Sequence, residues 1–433
     1  MIDRVITVFT ALSALSTPMS AQDTPTQTAQ AAFDALAERD WRRLAGVVDS
    51  DALEKLRQDA LGMLILTSEQ RLAGQKAQGG YNPNEVVITD HLPRIGSQRV
   101  QGFRGRPTIT RLASLTPPEF FIEWAEAAYP KRPDDPIFEV AGLYRRIIGE
   151  IAETTDAAYV VYRREHRSIE DGEPQLEMTG RVMVMPLVRS GGGWRIKLND
   201  DIGWSLSFSH VLFPERQHPV SKVALPPRVA PPEPPAPRPE RVAASPSPLE
   251  VVRSAFAAFE GRNCVELAAL VHPDVLQSFQ QGQLSYYAVW SQSRQAADSA
   301  KSQGVAFIMF SYDSLSKEAL AQVADVEMSI FPAHPTIGAL SRLSPREFFQ
   351  EWCRAAYGTS GETLGNAKAT MHRKLIGQLF EGENSAHVLY QSEGFYSAIH
   401  MALRWTDGGW RMMLNDDIGW FADLDLEQYH EDR

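Results

Sequence analysis

The chain is short of positive charge. Its 433 residues carry 43 Lys and Arg against 54 Asp and Glu, a formal net charge of -11, whereas a general nucleic-acid binder needs a basic excess to neutralise phosphates. Nucleic acid is therefore not an expected partner, and the acidity reads as a solvated surface. Long apolar runs are missing too: beyond the N-terminal segment no stretch approaches the roughly 20 apolar residues of a spanning helix. No membrane span is expected in the mature chain. Metal and cofactor signatures are lacking as well. The ten histidines are scattered, with His334, His372, His387 and His400 in the second half only, and no pair has the spacing of a zinc motif. His272 reads as a helix cap. Neither a serine nucleophile elbow nor a phosphate-cradling glycine loop occurs, and Gly79-Gly80 and Gly191 to Gly193 read as turns. The expected cofactor is none, and no metal site is expected.

With 43% hydrophobic and 22% charged residues, the composition belongs to folded globular proteins and not to the disordered class. The length favours two or three domains. At the start, Arg4 precedes a mainly apolar run from Val5 to Leu15, and the small residues Ser20 and Ala21 lead into polar sequence. That is the order of a signal peptide. Residues 1–21 are expected to be removed, giving an exported protein, periplasmic or secreted, that begins near Gln22.

The body of the chain is a duplication. Leu198-Asn199-Asp200-Asp201-Ile202-Gly203-Trp204 recurs unchanged as Leu414-Asn415-Asp416-Asp417-Ile418-Gly419-Trp420, at an offset of 216. Glu119-Phe120-Phe121 with Trp124 matches Glu347-Phe348-Phe349 with Trp352, at an offset of 228. Ala32-Phe33, Leu44 and Leu53 face Ala255-Phe256, Leu267 and Leu276 at an offset of 223. Insertions settle where lengthening costs little, so the fall from 228 to 216 predicts a loop at about Arg167 to Pro174. Pro214 to Pro248 holds 12 prolines in 35 residues; such a segment lacks backbone donors and favours extended polyproline conformations. The expected organisation is a first domain over 27–212, a linker over 213–247 and a second domain over 248–433. A linker that extends by roughly 3 Å per residue lets the two copies pair as an intramolecular pseudo-dimer.

Within each copy helices precede strands. Apolar residues at helical spacing, Phe33, Leu36 and Ala37 or Val252, Phe256 and Phe259, open the domain. Asp40 and Asn263 suit the N-cap of a second helix. Thr116 with Glu119 and Ser344 with Glu347 have capping-box spacing. Runs rich in Ile, Val and Tyr follow, broken by turns at Thr154-Thr155-Asp156, Gly191-Gly192-Gly193 and Asp407-Gly408-Gly409, which predicts antiparallel hairpins. The fold class expected is α+β.

A helix, a break at Glu38-Arg39-Asp40, a second helix, an acidic or His272-Pro273-Asp274 turn and a closing Gly-Gly-Trp strand resemble the nuclear transport factor two-like superfamily. Ketosteroid isomerase and polyketide-cyclase-like proteins share that cone-shaped fold. The resemblance implies two tandem cones, each with N-terminal helices packed on a curved antiparallel sheet, and interiors that are ligand pockets in some members and filled in others. Many members pair through their sheets. Function does not follow from such a fold alone.

The conspicuous polar residues are Asp200 and Asp201 in one copy and Asp416 and Asp417 in the other. Neighbours on an extended chain point to opposite faces, so one of each pair is a candidate to bind a ligand group or a divalent cation. The competing reading is an Asx-type turn that caps backbone amides. Six of the nine tryptophans fall in matched pairs, which favours core packing over a sugar platform. The two cysteines, Cys264 and Cys353, both lie in the second copy, where the first has Trp41 and Ala125. That joint change fits two side chains in contact, either as a disulfide in an oxidising compartment or as two buried thiols. The leading expectation is a non-catalytic exported protein that binds a small apolar ligand or an envelope protein. The alternatives are an isomerase, dehydratase or hydrolase with a carboxylate or His in one cone, and a purely structural envelope scaffold.

Overall fold

The computed structural model describes residues 24–72, 86–128, 144–170, 173–177, 182–199, 201–202, 246–303, 317–328, 330–331, 333–357, 369–393, 398–406, 408–415 and 417–418. The expected signal peptide, residues 1–21, and nearly all of the expected linker, residues 213–247, lie outside them. The first repeat runs α1 (Pro25–Glu38), α2 (Trp41–Val47), α3 (Ser50–Leu72), α4 (Ile88–Ile95), α5 (Ile109–Ala113) and α6 (Pro117–Ala128), then β1 (Tyr144–Ala152), β2 (Ala157–Glu170), β3 (Glu173–Glu177), β4 (Val182–Ser190) and β5 (Gly193–Ile196). The second runs α7 (Pro248–Glu260), α8 (Cys264–Leu270), α9 (Pro273–Gln303), α10 (Lys317–Gln322), α11 (Ile337–Ser341) and α12 (Pro345–Tyr357), then β6 (Arg373–Glu381), β7 (Ser385–Ser392), β8 (Ile399–Thr406) and β9 (Gly409–Met412). Helices followed by antiparallel strands make the protein α+β.

Local chemistry sets the helix ends. Thr24 Oγ1 accepts from the Gln27 amide, and Ser247 with Glu250 forms a full capping box; both stand before a proline at the first helical turn, where a missing donor costs nothing. After α1 and α7 the chain turns through an arginine in the left-handed region, Arg39 at φ 54° and Arg262 at φ 55°. The following amides, Asp40 N and Asn263 N, then close back on Ala35 O at 2.8 Å and Ala258 O at 2.7 Å, which offsets the strain. Asp40 accepts from Arg43 N and Asn263 from Glu266 N, so the same break restarts the chain as α2 and α8. Glu119 and Glu347 reach back to Thr116 N and Ser344 N, each at 2.9 Å.

The strands form two antiparallel sheets, one in the order β1-β2-β4-β5 with β3 paired to β2, the other β6-β7-β8-β9. Gly191 and Gly192 both have positive φ, 60° and 83°, as a tight hairpin of the right hand requires. The last strand of each sheet also meets the residue after the second helix: Asp49 N donates to Ile196 O and His272 N to Met412 O, both at 2.9 Å. The expected loop at Arg167 to Pro174 is mostly strand. Arg167 stands opposite Leu176 and Ile169 opposite Pro174, because the inserted residues extend a hairpin whose backbone groups satisfy one another.

The described residues fall into two compact units. The first contains α1–α6, Asp156–Val160 and the strand residues from Met185 onward; the second contains Tyr144–Thr155, β2 from Val161 and the second repeat. In the first, Trp124 is fully buried, with Phe103 edge-on at 5.7 Å and Phe120 stacked at 5.8 Å. In the second, Phe256, Phe259, Phe348, Phe349, Trp352 and Trp410 belong to one core with Val388, Tyr390, Met401 and Leu403 of the sheet. Side chains alternate along a strand, so the opposite face of β6 carries Leu379 and Glu381, and His387 stands directly across from Leu379.

Inside this second unit that face of β6 meets β1, and the contacts are reciprocal. Gly149 and Gly377 are matched at an offset of 228, as are Ile151 and Leu379. A Cβ built on Gly377 would stand 2.7 Å from Ile151 Cγ2, and one on Gly149 would stand 3.7 Å from Leu379 Cδ2. The two sites therefore respond differently. Gly377→Ala must displace a branched side chain and is expected to destabilise the protein by about 1–3 kcal/mol. Gly149→Ala meets only an ordinary contact and is expected to be neutral or to stabilise by about 0.5 kcal/mol, through the restricted unfolded chain. Urea unfolding midpoints of the two variants check this; equal effects would remove the distinction.

Candidate functional site

In both copies of the repeated segment the asparagine accepts from the amides two and three residues on, the pattern of an Asx turn. Asn415 Oδ1 accepts from Asp417 N at 3.2 Å and Ile418 N at 3.1 Å; Asn199 Oδ1 accepts from Asp201 N at 3.2 Å and Ile202 N at 2.9 Å. Asp200 and Asp416 lie outside the described residues. Asp201 and Asp417 are buried, at 0% and 1% exposure.

Asp417 shows what such burial demands. Arg373 donates to it from two nitrogens, Nε to Oδ2 at 2.8 Å and Nη2 to Oδ1 at 3.1 Å. The Tyr390 hydroxyl adds a third bond to Oδ2 at 3.1 Å, while Asn415 Nδ2 donates to that hydroxyl at 2.8 Å and to His400 O at 3.0 Å. The guanidinium lies over the rings of Phe259 and Phe256, with centroid distances of 4.9 and 5.6 Å, and Nη1 is taken by Met371 O. Burial first, then the charge of Asp417, drives the Tyr390 hydroxyl far above the usual phenol range. Oxygens engaged in this way are closed to a cation and out of reach of a substrate proton. This aspartate holds the fold. The same residue types recur in the first repeat as Arg145, Tyr162 and Asp201, all buried.

The two cysteines are joined. Cys264, at the first turn of α8, and Cys353, on α12, form a disulfide with Cα atoms 5.8 Å apart. Both are buried, at 4% and 1% exposure, as are Trp41 and Ala125 at the matched positions. Covalent linkage in one repeat stands where the other has a large and a small buried side chain at the matched positions.

A third cluster, not singled out by sequence reasoning, surrounds Glu381 inside the second unit. Arg146 Nη2 donates to Oε1 at 2.8 Å, Arg163 donates through Nε at 3.2 Å and Nη2 at 2.5 Å, and His387 Nε2 lies 2.9 Å from Oε2. Burial alone would raise this carboxyl, but the hydrogen bonds of His387 and Arg163 and the Arg163 charge hold it well below the usual carboxylate range. Glu153 and Lys374 make a companion pair at 2.6 Å. Arg146 matches Lys374 and Glu153 matches Glu381 at the 228 offset, so these two pairs are also reciprocal. The only signals in the sequence were paired arginines on strands and a histidine within an apolar strand.

Among the described residues no group of three or more His, Cys, Asp or Glu could hold a metal ion, and no helix is long and apolar enough to cross a membrane. Compared with known proteins, the chain matches no family model, no curated protein and no solved structure.

Removing one partner of a buried pair leaves an uncompensated charge. Asp417→Asn is therefore expected to cost about 3–5 kcal/mol and Tyr390→Phe about 1–2 kcal/mol in chemical unfolding; a loss below 1 kcal/mol for Asp417→Asn would show that the pair is not the anchor. Reducing the disulfide, which closes a separation of 89 residues, is expected to cost about 2–5 kcal/mol. Melting the oxidised and reduced protein side by side measures it, and coincident curves would contradict the expectation.

Proposed function

We propose that the chain is an exported, non-catalytic binding protein, built from two diverged repeats of the nuclear transport factor two-like kind, whose target is a protein of the cell envelope. The observation that carries this reading is the state of the second repeat's interior. Phe256, Phe259, Phe348, Phe349, Trp352 and Trp410 fill the space between helices and sheet. The carboxylate described at this repeat's turn, Asp417, is consumed by Arg373 and Tyr390. A filled core with its acid engaged favours a surface that recognises a macromolecule over a cavity that processes a small one.

Pairing of the repeats through their sheets is part of the reading. It is supported by the reciprocal contacts of Gly149 with Leu379 and Gly377 with Ile151 and by the matched ion pairs, since a two-fold contact presents the same patch on both sides. Export is supported by the order of residues around Arg4 and Val5 to Leu15 and by the Cys264–Cys353 bond, because disulfides persist in oxidising compartments.

Two measurements on protein purified from its own host test the reading. N-terminal sequencing is expected to start near Gln22, with neither cysteine reacting before reduction; a chain that begins at Met1 with two free thiols would remove export. Native mass spectrometry is expected to show a stoichiometric adduct of protein size. A bare chain, or an adduct of small-molecule mass, would overturn the binding assignment.

A further inference from the structure

The Glu381 cluster is asymmetric although the contacts around it are reciprocal. At the 228 offset, Arg163 is matched by Gln391 and His387 by Tyr159. The Glu381 side therefore gathers two guanidiniums and an imidazole about one carboxylate, and the Glu153 side carries a lysine. Lys374 is 59% exposed, so its pair contributes little. Arg146, Arg163 and Glu381 are 15%, 19% and 12% exposed, and His387 is 2% exposed.

With its proton on Nε2, a neutral His387 donates to Glu381 and completes that carboxylate's set of donors. Its other nitrogen, Nδ1, is buried without a hydrogen-bond partner. Beside the ring stand Glu381 of β6, which also receives Arg146 of β1 and Arg163 of β2, and His400 of β8 with its ring centroid 5.3 Å away. A second proton on His387 would turn Nδ1 into a buried charged donor with nothing to accept from it. Charge of that kind is costly until water reaches it. Water reaches a ring that is 2% exposed only if its surroundings move, and Arg146 of β1 and Arg163 of β2 are tied to Glu381 beside it.

We propose that His387 and Glu381 form an acid-sensitive latch, in which proton uptake by the His387 imidazole loosens the packing of β1 on β6 and frees Arg163 of β2 from Glu381. Histidine is the residue whose charge changes between about pH 5 and 8, and buried histidines at contacts flip interfaces in this way. The latch sits on one side only, because Tyr159 cannot charge in this range. It is independent of what the chain binds.

Hydrogen exchange on the full chain at pH 7.5 and 5.5, corrected for the intrinsic pH dependence of amide exchange, reads it out. Peptides covering β1 and β6 are expected to exchange roughly tenfold faster at pH 5.5 than at pH 7.5, while peptides of α12 are unchanged. His387→Gln keeps a donor towards Glu381 but takes up no proton, and is expected to abolish the acceleration. His400→Gln is expected to keep it. A full response in His387→Gln, no response in the wild type, or a response lost only in His400→Gln would overturn the proposal. Should His387→Gln fail to fold, imidazole carbon shifts of the wild type decide: charging of His387 over the same pH range as the faster exchange supports the latch, and an imidazole that stays neutral throughout refutes it.

Discussion

Asp417 gives up water almost completely, and what replaces that water decides how the second repeat is held together. An ionised carboxylate in an apolar interior is tolerable only when fixed donors meet its lone pairs. Here they come from separate parts of the chain. Arg373 supplies two from the start of β6, Tyr390 one from β7, and Asn415 fixes both the tyrosine hydroxyl and the turn that carries the aspartate. Phe256 and Phe259 of α7 lie under the guanidinium, and the Tyr357 hydroxyl at the end of α12 donates to Phe259 O at 3.0 Å. One charge thus registers the first strand, the second strand, the closing turn and the first helix. The disulfide does the corresponding work for α8 and α12.

The two faces of the β6–β9 sheet obey different rules. Towards the helices, Val388, Tyr390, Met401 and Leu403 pack into an aromatic core, where shape and volume dominate. On the other face glycine permits a close approach to β1, and charges govern the rim. That face holds Glu381 and His387 beside Leu389, which is fully buried.

What the sequence made legible was local or repeated. Caps at Asp40, Asn263, Thr116 and Ser344 involve partners within three residues, and the hairpins follow from alternation and glycine turns. Asp201 and Asp417 stood out because their segment recurs, and the Asx reading needed only the neighbouring asparagine. Their burial was not legible, because Arg373 lies 44 residues from Asp417 and nothing in a β-rich run marks which arginine turns inward. The Glu381 cluster was further from view: its arginines are 235 and 218 residues away, and only the crossing of β1 on β6 brings them there. The segment around Arg167 was misread as a loop because an insertion that extends a hairpin and one that extends a loop shift the repeat offset alike.

The reciprocity at β1 and β6 has a genetic consequence. In a dimer of one unduplicated repeat, every residue placed at the contact occurs twice, so a charge or an imidazole introduced on one side is imposed on the other. Encoding both halves in one chain removes that coupling. Arg163 could persist opposite Glu381 while Gln391 occupied its matched position, and His387 could arise where the first half keeps Tyr159. Arg163 and His387 at one pair of positions, against Gln391 and Tyr159 at the matched pair, are a difference that a symmetric dimer has no means to encode.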